Sequence, residues 1–88
     1  MQSYTLSSPA KKIFLEREIP LSVIEDTLWY PDQAFISKKD STLKLNKKIY
    51  FHPTKSQKRL LFLFFRQKKG ELFIVFLTDI GENTLSSS

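Results

Sequence analysis

His52 is the one histidine of this sequence, and imidazole is the side chain whose ordinary pKa suits proton transfer near neutrality. It sits beside Tyr50 and the basic residues Lys55, Lys58 and Arg59. A histidine there can move a proton, a tyrosine can stack on or orient a base, and an arginine can hold a phosphate. Together they suit RNA cleavage without metal, in which cations stabilise a phosphorane-like transition state. The catalytic candidates are therefore His52, Tyr50 and Arg59. Lys44, Lys47, Lys48, Lys55, Lys58 and Arg66 are the candidate RNA contacts. A plainer account treats His52 as an ordinary surface residue. On that account the lysines solubilise turns and deter pairing of edge strands.

Other chemistries find no residue set. There is no cysteine and no Cys/His cluster, so neither a metal nor a cofactor is expected. Glu16, Glu18, Glu25 and Asp26 fall on helical segments, Asp40 in a turn, and Asp79 just after the last strand, where it can cap or pair with a lysine. Ser7 and Ser8 read as helix caps, and neither Gly70 nor Gly81 lies in a phosphate-cradling loop.

Fourteen Lys and Arg against nine Asp and Glu give a net charge of +5, which suits RNA or an acidic protein and also serves solubility. No run reaches the length of a membrane span, and the polar Met1–Ser8 stretch does not read as a secretory signal. A cytoplasmic protein with no membrane association is expected.

The elements that must position these residues follow from periodicity. Ser8-Pro9 opens a helix that runs to about Glu18, with Ile13 and Phe14 toward the core. Ile19-Pro20 breaks it. A second helix runs to Tyr30 with Leu21, Ile24 and Leu28 in one stripe. Strands are expected at Ala34–Ser37, Leu43–Phe51, Arg59–Arg66 and Glu71–Thr78, and an edge strand around Tyr4 is possible on the pattern. The expectation is a single α+β domain over residues 1–80, with two N-terminal helices packed on one face of a four-stranded, mainly antiparallel sheet. A disordered tail over 81–88 is expected to follow.

The last two strands are apolar at nearly every position, whereas a sheet covered on one face should alternate. Leu61, Leu63 and Phe65 point one way; Leu60, Phe62 and Phe64 point the other. Two short helices can cover only one set. The other implies a homodimer or a tight protein complex, unless the chain termini wrap over it.

Leu15-Glu16-Arg17-Glu18-Ile19-Pro20, then Val23-Ile24, Leu28 and Pro31-Asp32, resemble the opening of an uncharacterised domain family related to the BrnT and RelE/ParE toxins of toxin–antitoxin pairs. The lysine-rich strand ending at Tyr50-Phe51 and the two apolar strands fit the same pattern, so the resemblance spans roughly Pro9 to Thr78. Two departures stand out. Ser8-Pro9 occupies the place of a histidine that often opens the first helix, and Glu18 that of the usual glycine. The resemblance implies a RelE-like fold, endoribonuclease activity and an antitoxin-like protein partner. Two functions are thus expected in competition. One is a toxin-like RNA-binding or RNA-cleaving protein. The other is a non-catalytic module that dimerises, or binds an acidic partner, through its apolar sheet face.

Overall fold

The computed structural model describes residues 4–81. In chain order the elements are β1 (Tyr4–Leu6), α1 (Ser8–Glu16), α2 (Leu21–Trp29), β2 (Gln33–Ile36), β3 (Leu43–His52), β4 (Gln57–Lys68) and β5 (Glu71–Gly81). They form an α+β fold with one five-stranded sheet in the order β1-β5-β4-β3-β2. The expected sheet of four strands is corrected to five. β1 joins the edge and runs parallel to β5, so the sheet is mixed. A three-residue strand is too short to show a period, so its pairing is a tertiary fact. β5 also reaches Gly81. The rest of the expected tail lies outside the described residues.

Local chemistry accounts for the element ends. Ser7, and not Ser8, caps α1: its Oγ accepts the Ala10 N–H at 3.2 Å, with proline in the first turn. The same hydroxyl donates to Val75 O at 2.8 Å, which ties the cap to β5. Helix α1 stops at Glu16, before the expected Glu18, because Glu18 takes a φ of +53° and leaves the helix. The last carbonyls of α2 are met from β3. Asn46 Nδ2 donates to Thr27 O and Leu28 O, and Lys48 Nζ donates to Tyr30 O. The β4–β5 hairpin closes over Lys69-Gly70, both at positive φ, the geometry of a two-residue turn that matches the strand twist.

Both helices lie on one face of the sheet. Leu61, Leu63, Phe65, Leu72, Ile74 and Leu77 face them and are buried, with Ile24, Leu28, Ala10 and Ile19 packed above. Ile13 and Phe14, expected in the core, are half-buried at its margin. Leu60, Phe62 and Phe64 therefore face the opposite, helix-free side.

Candidate functional site

Strand register brings the three catalytic candidates together. Tyr50 and His52 lie on the helix side of β3, and Tyr50 pairs directly with Arg59 of β4. Sequence reasoning missed the group at their centre. Asp79 of β5 lies on the same side and is 2 % exposed. Arg59 donates to it through Nε at 2.6 Å and through its second terminal nitrogen at 3.2 Å. Tyr50 donates its hydroxyl at 2.7 Å, and Arg17, beyond the end of α1, donates at 3.0 Å. Gln57 Oε1 accepts from Arg59 as well. The alternation Leu72, Ile74, then Leu77 and Asp79 could have signalled a buried carboxylate. A bulge near Phe64/Phe65 shifts that period and hides it.

The electrostatics follow from this geometry. Burial pushes the Asp79 carboxyl up. The hydrogen bonds from Arg59 and Tyr50 and the Arg59 charge outweigh burial, so its pKa is lowered. Burial, then the hydrogen bond to Asp79, pushes the Tyr50 phenol well above its ordinary value. Arg59 is held still more firmly in its charged form, first by its hydrogen bond to Asp79. An acid kept ionised and a phenol kept neutral suit an ion pair that holds elements together.

His52 is fully buried. Its Nδ1 faces the backbone N–H groups of Thr54 and Lys55, both at 3.3 Å, so that nitrogen is the acceptor. Nε2 then carries the proton and donates to Arg17 O at 2.9 Å. The ring joins the β3–β4 turn to the end of α1, with both nitrogens engaged. No buried side-chain nitrogen or oxygen among the described residues lacks a partner.

The candidate RNA contacts do not form one patch. Lys44 and Lys48 lie on the helix side, bonded to Gln67 Oε1 and Tyr30 O. Lys55 is exposed in the β3–β4 turn. Lys47, Lys58 and Arg66 lie on the helix-free side by register. Arg66 is paired there with Asp40 and Thr42. No cluster of metal-binding side chains occurs among the described residues, and none of their helices is long and apolar enough to cross a membrane.

No protein-family model, curated protein or solved structure matches the chain.

The helix-free side is the larger feature. Phe35, Ile49, Phe51, Phe73 and Phe76 stand exposed on it. Phe64 and Phe76 meet with ring centroids 6.1 Å apart, and Lys47 Nζ stands 5.1 Å from the Phe35 ring centroid and 5.2 Å from that of Phe62. At 150–250 Å² a ring, the four exposed phenylalanines leave on the order of 400 Å² of aromatic surface in water. Lone monomers seldom expose a contiguous apolar patch much larger than this without a use for it.

Proposed function

We propose that the protein is a non-catalytic interaction module that binds an acidic protein partner across its helix-free sheet face. The exposed aromatic face around Lys47 carries this reading. By register its charged side chains are Lys47, Lys58, Arg66 and Lys68 against Glu71 at one rim, and with Arg66 paired to Asp40 the unpaired excess is Lys47 and Lys58. A second copy would set cations against cations. An amphipathic acidic segment would cover the rings and meet the cations together. Apolar burial at about 25 cal/mol per Å² makes covering some 400 Å² worth roughly 10 kcal/mol before association costs.

The committed state of the Tyr50–His52–Arg59 group also favours binding over catalysis. Its proton carrier is enclosed, and its cation is bonded to Asp79. The RelE-like resemblance is supported by the order of two helices before the antiparallel strands. It is supported too by the positive φ of Glu18, at the position where the family that the opening resembles usually carries glycine. An acidic partner is compatible with the antitoxin-like protein that the resemblance implies.

Calorimetry with a synthetic amphipathic peptide, leucine on one face and glutamate on the other, tests the reading. Saturable binding is expected, weakened at least tenfold by Phe76→Asp or Lys47→Glu. Absence of binding, or equal binding by both variants while they remain folded, refutes it.

A further inference from the structure

Strand β2 closes one side of the sheet. One of its long sides pairs with β3, and no other strand of the described residues lies along the second. All four of its residues, Gln33, Ala34, Phe35 and Ile36, are exposed. Ser37 N–H donates to Leu43 O at 2.9 Å. The alternation of an antiparallel ladder then turns Phe35 toward β3 and leaves the N–H and C=O groups of Ala34 and Ile36 facing outward. Exposed edges are commonly blunted by lysine, proline or a bulge. Within β2 there is none.

Two cavities flank this edge on opposite faces of the sheet. On the helix side, a cavity of about 340 Å³ opens between the end of α2, at Leu28 and Trp29, and the sheet residues Ile36, Asn46, Phe65 and Leu72. On the helix-free side, one of about 190 Å³ lies over Leu43, Leu45 and Phe64. Phe35 and Ile36 line both. Successive side chains of an added strand point to opposite faces, so neighbouring residues would reach the two cavities in turn. The surroundings are basic. Lys38 and Lys39 are exposed just beyond β2, and Lys44 and Lys47 lie on the strand beside it. The nearby carboxylates Asp32 and Asp40 are already paired, with Lys48 and Arg66.

We propose that β2 accepts an extended, acidic segment of a partner protein as a sixth strand, with apolar side chains of that segment seated in the two cavities. The acidic chemistry of the partner rests on the reading given above. The edge and its cavities stand independently of it.

The probe is an acetylated peptide, Asp-Glu-Val-Leu-Val-Glu-Asp, titrated into isotope-labelled protein. The expected result is saturable shifts centred on Ala34 and Ile36, with slowed hydrogen exchange at those two amides. Ala34→Pro removes only an outward N–H, which an edge strand tolerates, and should weaken binding at least tenfold. N-methylation of the peptide at alternate residues keeps the test decisive should that variant not fold. One methylation register should abolish binding and the other leave it intact. Several results would overturn the proposal: no saturable binding, wild-type affinity in folded Ala34→Pro, equal effects of both registers, or a peptide-free dimer that Ala34→Pro dissolves. Failure here is separable from failure of the sheet-face reading, because the leucine–glutamate amphipathic peptide should bind Ala34→Pro as it binds wild type.

Discussion

Replacing Asp79 with asparagine keeps the shape of the side chain and removes its charge. Arg59 then keeps a guanidinium whose side chain is 11 % exposed, with no counter-charge, and the amide nitrogen of the new residue turns a donor toward donors. Arg17 suffers less, because its side chain is 41 % exposed and water can take over. Breaking a buried pair by removing one partner costs about 3–5 kcal/mol. The partial exposure of Arg17 places Asp79→Asn near the lower end, about 3 kcal/mol. Typical stabilities per residue give a chain of this length a total of about 4–13 kcal/mol, so a large share is at risk. Thermal unfolding should drop by about 12–24 °C, and urea unfolding should give the free energy directly. A triple change, Asp79→Leu with Arg59→Met and Tyr50→Phe, leaves no buried charge unpaired, because the half-exposed Arg17 keeps the residue 79 carbonyl and water and Gln57 reaches solvent, and should return to within about 1 kcal/mol of wild type. A loss under about 1 kcal/mol for Asp79→Asn, or a triple change as damaging as the single, would refute the assignment of this group as a buried structural ion pair.

Three further outcomes follow from the same geometry. The Asp79 pKa is lowered in the folded state, so its contribution is full above the ordinary carboxyl range and is lost as pH falls through the folded value. Acid titration of stability should show a limb below about pH 4 that Asp79→Asn flattens. Asp40, lowered to about 2 first by the Thr42 hydroxyl and then by Arg66, adds to that limb in the same direction and persists in the variant. Glu18→Gly relieves a left-handed backbone conformation and should stabilise by about 0.5–1 kcal/mol in urea unfolding, where a loss would contradict the φ assignment. Nitrogen chemical shifts of His52 should report a neutral ring protonated at Nε2. His52→Ala should lower stability by about 2–3 kcal/mol, since it leaves Arg17 O and two turn amides without their partner.

Much of the fold was legible in the sequence because period and breakers agree. The Pro20 and Pro31 breaks, the 3.6-residue stripe of Ile24 and Leu28, and the change to a two-residue period after Asp32 placed both helices and four strands. The excess of apolar residues in β4 foretold a helix-free face; the fold showed that this face carries Phe62 and Phe64. What stayed hidden depended on register. Tyr4–Leu6 is too short to show its pairing with β5. Asp79 read as a residue just after the last strand, free to cap or to pair with a lysine, because the β4–β5 bulge that moves it to the buried side leaves no mark in the sequence. Arg17 stands four residues after Ile13 and three after Phe14, just past the end of α1, yet only the packing of α1 on β5 reveals a carboxylate within its reach.

The central claim is that the helix-free sheet face binds an acidic protein segment while the Tyr50–His52–Arg59 group serves structure. Parallel amide titrations of labelled protein, one with the leucine–glutamate peptide and one with a single-stranded oligouridylate, test it most directly. The peptide should give saturable shifts along Phe35, Leu45, Phe64 and Phe76. The RNA should give only weak, salt-suppressed shifts scattered over the lysines of both sheet faces. Saturable RNA binding centred on Tyr50, His52 and Arg59, with the peptide leaving the sheet face unmoved, would contradict the account.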